Sequence, residues 1–200
     1  MTVVDSDADP QPPTVRAAMD GWWLVDEYVE TVFELVAASV RGHTAVYEDR
    51  TVVEAATAAG LPELPWRFLF VTRLEFSPPL VPGVGPAAIH GTVEREAASS
   101  FADTLRERGF EHVERGRRER IRTDTGERAR LTRFGAVYRP DDAATVDVEG
   151  WLAVWVHDGE FRLAGGAYPV DLAAVEGVDA DRLDRARLRE GLLDLIRAVA

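Results

Sequence analysis

The chain contains no cysteine, no lysine and no asparagine. Without cysteine there are no disulfides, no thiolate nucleophile and no Cys-ligated zinc. Without lysine there is no P-loop, whose phosphate grip needs Gly-Lys-Ser/Thr. The four histidines, His43, His90, His112 and His157, are far apart and form no HxH or HExxH pair, so no metal ligand set is legible. No apolar run reaches the roughly 18 residues of a membrane span. The opening MTVVDSDADPQPPTVR is acidic and Pro-rich and lacks the basic and apolar regions of a secretory leader. It reads as a disordered acidic tail over 1–20, ahead of a single α+β domain over 21–200, with a cytoplasmic location expected.

What the chain does have is charge. All 23 basic residues are arginine, and the net charge is −12. Such a chain repels itself at low salt and tolerates concentrated salt, where the Debye length shrinks to roughly 3 Å at 1 M.

Two readings compete for GWWLVDEYVETVFELVAASVRGHTAVYED, residues 21–49. As a helix, Trp22, Val25, Val29, Val32, Phe33, Val36 and Val40 share one face. As strands, Val29, Thr31, Phe33 and Leu35 alternate. Ten of the 19 residues from Trp22 to Val40 are β-branched or aromatic, which leans to a β-hairpin. TVVEAATAAG, 51–60, has the Thr51–Glu54 spacing of a capping box and predicts a short helix. WRFLFVTRLEF, 66–76, predicts a central strand, with Trp66, Phe68, Phe70, Thr72, Leu74 and Phe76 on one face.

PPLVPGVGPAAIHG, 78–91, raises the question of a phosphate cradle. Its prolines remove donors, and Gly83 and Gly85 lack a third glycine at dinucleotide-binding spacing. It reads as a stiff connection. A helix is expected over 92–109, capped by Thr92, with Val93, Ala97, Phe101 and Leu105 buried and a Schellman ending at Gly109 and Phe110. Two hairpins follow. One turns at Thr123-Asp124-Thr125-Gly126. The other turns at Asp158-Gly159, which sets Val156 opposite Phe161, Trp155 opposite Arg162, Val154 opposite Leu163 and Trp151 opposite Gly166. Gly166 then leaves room for the Trp151 indole. A last helix is expected over roughly 179–199, capped by Asp179.

Residues 106–133 carry ten arginines against six acids, so this stretch is +4 and the remainder −16, given −12 overall. Strand alternation places Arg118, Arg120 and Arg122 on one face, and Arg115 and Arg117 on the other. With Arg130 they form a candidate anion site, able to grip phosphate or carboxylate in bidentate fashion. The plainer reading pairs them with Glu111, Glu114, Glu119 and Glu127 as a solvated face. Nucleic acid is a possible partner, opposed by the negative field and by the lack of interleaved aromatics. Trp151, Trp155, Arg162 and Tyr168 share one face of the last hairpin and form a candidate aromatic pocket; the plainer reading makes them core under a helix. No serine stands in a nucleophile-elbow context. His43, His90 and His112, near Glu48, Glu94 and Glu111, are the residues to inspect for acid–base work. No catalytic residue, cofactor or metal is assigned.

The order of strand 66–76, Pro-rich loop, helix 92–109 ending in Gly-Phe, and hairpins 111–138 and 146–168 resembles PsbP-like α+β domains over about half the chain. The resemblance lies in element order and transfers no binding residue. The acidic, Ala- and Val-rich, Lys-free composition resembles proteins of extremely halophilic archaea, although a GC-rich genome favours arginine codons too. FADTLRERGFEHVERG and VEGWLAVW…LAGGAYP look like an uncharacterised haloarchaeal family, which implies no stated function. The expected fold is α+β: a mostly antiparallel sheet of about six strands with two main helices on it. The leading functional expectation is a non-catalytic accessory or interaction protein adapted to high salt, with a protein partner or homodimer possible. Anion or nucleic-acid binding by 115–133 is the alternative, and a small-molecule enzyme or binder at Trp151/Trp155 the second.

Overall fold

In the computed structural model the described residues are 11–35, 38–58, 60, 61, 64–80, 85–139, 145–170 and 184–200. Segment 21–49 is the hairpin that its β-branched and aromatic content favours. Strands β1 (Trp22–Leu35) and β2 (Ala38–Asp49) pair antiparallel. Asp49 ends β2 and starts helix α1 (Arg50–Ala58), its carboxylate accepting the Thr51 amide N–H at 2.9 Å. The cap is therefore Asp49 and not Thr51.

Strand β3 (Phe68–Ser77) leads to helix α2 (Pro86–Glu107). This helix begins six residues before Thr92. Pro86 occupies the first turn, where a missing N–H leaves no bond unmade, and Gly85 is the cap. Thr92 is thus interior, and positions 81–84 of the Pro-rich stretch lie outside the described residues. At the far end the Schellman bonds form: Gly109 N–H to Arg106 O at 2.9 Å and Phe110 N–H to Leu105 O at 3.1 Å. Gly109 has φ +87, which a side chain would strain. Strands β4 (Glu111–Arg122), β5 (Arg128–Tyr138), β6 (Val146–His157) and β7 (Glu160–Pro169) follow, then helix α3 (Arg185–Arg197). Its cap is Asp184, which accepts the Arg187 N–H at 3.0 Å. Asp179 lies outside the described residues.

Among the described residues the sheet has seven strands, not six, in the order β1-β2-β3-β7-β6-β5-β4, and every pairing is antiparallel. The two main helices expected, α2 and α3, accompany it there with the short helix α1. Two meanders meet at β3–β7. The chain climbs β1-β2-β3, crosses one face through α2 to the far edge, and returns β4 to β7. Strands β1 and β4 are the two edges. Residues directly opposite share a face, so the register sorts the core into two layers. On one, Val93, Ala97, Phe101 and Leu105 of α2 cover Phe68, Phe134, Leu152 and Leu163. On the other, Leu188, Leu192 and Ile196 of α3 cover Leu69, Val71, Leu131, Trp151 and Trp155. Strands β6 and β7 are consequently buried on both sides over most of their length. Trp66 precedes β3 and packs with the α3 layer, apart from Phe68 and Leu74.

The four β6–β7 pairs expected from the Asp158-Gly159 turn are all present. The reason for Gly166 differs from expectation. A Cβ there would lie 2.0 Å from the Phe68 carbonyl oxygen and 3.0 Å from Leu192 Cδ1, so β3 and α3 demand the glycine, not Trp151. Residues 14–16, within the stretch read as a tail, bond to 198–200 through Thr14 N–H to Ala200 O at 3.2 Å and Arg16 N–H to Ala198 O at 2.8 Å. Among the described residues no helix is long and apolar enough to cross a membrane.

Candidate functional site

The β4–β5 hairpin projects its arginines onto the α2 side of the sheet, beyond the area that α2 covers. Arg120 stands directly opposite Arg130, and Arg122 directly opposite Arg128, with Arg118 opposite Thr132. All five arginines are exposed. Like charges in directly opposed positions destabilise a strand pair. Their compensation is thin. Glu94 of α2 lies 3.8 Å from Arg118 and 3.5 Å from Arg130. Arg122 donates to the Gly126 carbonyl at 2.7 Å. Arg120 and Arg128 have no carboxylate partner among the described residues. Three of the four acids expected to neutralise the row are engaged elsewhere. Glu119 pairs with Arg117 at 2.6 Å, Glu111 with Arg139 at 3.3 Å and Glu127 with His157 at 2.7 Å. Arg115 departs from the expected alternation. The register shifts between Arg115 and Arg118, so Arg115 pairs with Phe134 and stands 6.0 Å from its ring, on the α2 side.

Together with the first turn of α2, these side chains line an open groove of about 770 Å³, bounded by Ala87, His90, Arg120, Arg122, Arg128 and Arg130. The α2 N-terminus adds its positive end, since Gly85 offers no side chain to cap the leading N–H groups. Burial, then the nearby Arg130 charge, hold His90 below its usual pKa despite Glu94, so it stays largely neutral at pH 7. The groove's positive charge therefore rests on guanidinium groups.

The hairpin tip is pinned. The Glu127 carboxylate accepts from Thr123 Oγ1 at 2.7 Å, from Thr125 Oγ1, and from His157 Nδ1 at 2.7 Å, tying the β4–β5 turn to the end of β6. Burial pushes the Glu127 carboxyl up, but the hydrogen bonds from Thr125, Thr123 and His157 outweigh it and hold it at about 2, against an ordinary 4.5. A depressed carboxyl stabilises the fold above its unfolded value and loses that contribution as pH falls through the folded one. Thermal stability is expected to fall between about pH 4.5 and about pH 2. Glu127→Gln is expected to flatten that part of the profile, and a wild-type-like slope in the variant would refute the assignment.

The candidate pocket residues lie elsewhere. Trp151, Trp155 and Tyr168 are fully buried under α3, and Arg162 is 8% exposed beside them. Sequence reasoning passed over their neighbour Glu149, which is 2% exposed. It accepts from Trp151 Nε1 at 3.0 Å, the Tyr168 hydroxyl, Arg133 Nε at 2.8 Å and Arg185 Nη2 at 2.8 Å. Burial alone raises its pKa, yet the bonds from Tyr168 and Arg185, the Arg133 charge and the Trp151 bond bring it below the usual range. Tyr168 is pushed well up, first by burial and then by Glu149. The signal was an acid in an otherwise apolar stretch of β6, two residues after Asp147 and at a fixed register opposite Tyr168. Of the histidines, His43 is buried and its Nε2 lies 3.0 Å from Glu75, not near Glu48. His90 faces the Phe161 ring at 5.7 Å, and His112 is exposed with φ 50. The structure does not bring the three together with one acid.

A family model described as Domain of unknown function (DUF6517) matches residues 9–200. No curated protein matches the chain, and no solved structure does.

Proposed function

The chain belongs to the DUF6517 family, and we propose that it is a non-catalytic binding protein whose ligand is a small polyvalent anion held in the hairpin groove. One observation carries this reading: Arg120 faces Arg130 and Arg122 faces Arg128, all exposed, and among the described residues Glu94, 3.5 Å from Arg130, is the one carboxylate paired with these four. A fold pays for such rungs in stability, and a bound anion turns the repulsion into shared attraction. Rungs two residues apart are roughly 6.8 Å apart along the strands, a spacing that favours more than one negative group on the ligand. Phosphate-bearing small molecules fit this chemistry. Nucleic acid fits it less well. The remaining chain opposes a long polyanion, and the groove lining offers no aromatic platform apart from His90.

Calorimetric titration with tripolyphosphate, a single-stranded oligonucleotide and acetate tests the reading. Tripolyphosphate is expected to bind, with affinity falling as salt rises. Arg120→Glu combined with Arg130→Glu is expected to weaken it by roughly 100-fold or more. Arg122→Thr with Arg128→Thr is expected to weaken binding while raising stability by about 0.2–1 kcal/mol, an opposition that a merely structural role would not produce. Absence of tripolyphosphate binding at low salt sinks the proposal. Tighter binding of the oligonucleotide would overturn the ligand class.

A further inference from the structure

A second cavity, of about 50 Å³, lies between β1 and α2, well away from the hairpin groove. Its floor and walls are mostly apolar, with Val46, Phe68, Phe70, Phe101, Leu152 and Leu163 beside the mutually hydrogen-bonded Thr44 and Thr72. Tyr28, Ser100 and Arg108 also line it, together with Glu30 and Thr104. Arg108 lies 4.5 Å over the Phe68 ring and is half-buried. Glu48 favours the charge on Arg108, and Glu30 acts on Tyr28. Burial outweighs Glu48 at Arg108, so a guanidinium withdrawn from water here needs a further reason. Burial is the largest influence on both groups, lowering the Arg108 pKa and raising that of Tyr28.

A charged fork and a hydroxyl above an aromatic hollow match one kind of molecule. We propose that this cleft binds a small monocarboxylate with an apolar body, its carboxylate on Arg108 and Tyr28 and its hydrocarbon among Phe68, Phe70 and Phe101. The volume sets the size of that body. One water needs about 10–15 Å³ measured this way, so the cavity takes about four carbon-sized atoms. A branched chain such as that of isovalerate fills it.

The approach to the cleft has the opposite charge. Glu30, Glu96, Asp103 and Glu107 border the adjoining mouth. Asp103 is paired with Arg106 at 2.7 Å and Glu96 with Arg95 at 3.4 Å. Glu30 and Glu107 have no such partner among the described residues. These exposed acids repel an incoming carboxylate at low salt and are screened at high salt, whereas the half-buried contact to Arg108 is screened less. Isovalerate affinity is therefore expected to rise as salt goes from about 0.1 M to about 1 M, over which the Debye length falls from about 10 to about 3 Å. The hairpin groove has the reverse dependence, so the two sites are separable by salt alone.

The test is titration of the full chain with sodium isovalerate, followed by ligand-observed NMR and calorimetry, with isovaleramide as the uncharged analogue. Saturable binding of isovalerate is expected. Isovaleramide, Arg108→Gln and Arg108→Lys should each weaken it by roughly tenfold or more, and Tyr28→Phe by a few-fold. Melting curves of the variants verify that the fold is kept, with Tyr28→Phe as the isosteric change. Arg120→Glu with Arg130→Glu should leave isovalerate binding unaltered. No saturable binding at any salt, equal binding of the amide, or loss of binding in the hairpin variant overturns the proposal.

Discussion

Glu149→Ala is expected to lower stability by about 3–5 kcal/mol, a fall in Tm of roughly 6–20 °C for a chain of this size. The carboxylate is 2% exposed and is the shared acceptor for four donors. Removing it leaves the buried Tyr168 hydroxyl without an acceptor and the Trp151 N–H with only a long 3.4 Å bond to that hydroxyl. Each such orphan costs about 1–3 kcal/mol. Arg133 and Arg185 add less, because their side chains are 37% and 51% exposed and regain water. The network also joins elements distant in the chain: Arg133 comes from β5, Glu149 from β6, Tyr168 from β7 and Arg185 from the first turn of α3. Glu149→Gln, which keeps shape but not charge, should fall between wild type and alanine. Tyr168→Phe alone should cost about 1–2 kcal/mol. Thermal denaturation followed by circular dichroism measures all three, and an alanine effect near zero would show that the arginines, not the carboxylate, hold this corner.

Gly166→Ala is expected to cost about 3 kcal/mol or more. The added methyl would sit 2.0 Å from the Phe68 carbonyl oxygen, which is backbone and cannot rotate away. Relief requires β3 to part from β7, and that pairing joins the two meanders of the sheet. Gly135 supplies the control. A Cβ there meets nothing within 4 Å, and Gly135→Ala is expected to be neutral or slightly stabilising through the unfolded chain. Equal effects at the two positions, measured by chemical denaturation, would refute the steric account.

Much of this fold was legible because local signals and tertiary demands agree. Asp158-Gly159 fixed a hairpin register that the sheet then had to accept. Gly109 and Phe110 stopped α2 where a left-handed residue is needed. The errors have local causes as well. Thr92 looks like a cap, yet Pro86 had already started the helix, and a start signalled by proline is easily mistaken for a loop when more prolines precede it. The alternation rule failed at Arg115 because a bulge adds a residue between Arg115 and Arg118, where Gly116 is its one local signal. The arginine face of the groove was visible as a composition anomaly, but the decisive like-charge rungs depend on cross-strand register. The cleft at Arg108 was invisible, since its parts come from β1, β2, β3, α2, β6 and β7. Glu149 was hidden for the same reason: its donors lie as many as 36 positions away from it in the chain.

Among the described residues the open sheet has two unpaired margins, and both are long. β1 carries Asp26, Glu27, Glu30 and Glu34 and no basic residue, whereas β4 carries Arg115, Arg117, Arg118, Arg120 and Arg122. Two molecules meeting margin to margin through β1 would set acid against acid, and through β4 five arginines against only three glutamates on each side, while the β4 bulges further spoil a continuous ladder. The same arginines that crowd the groove thus also guard the molecule against stacking on its own copies.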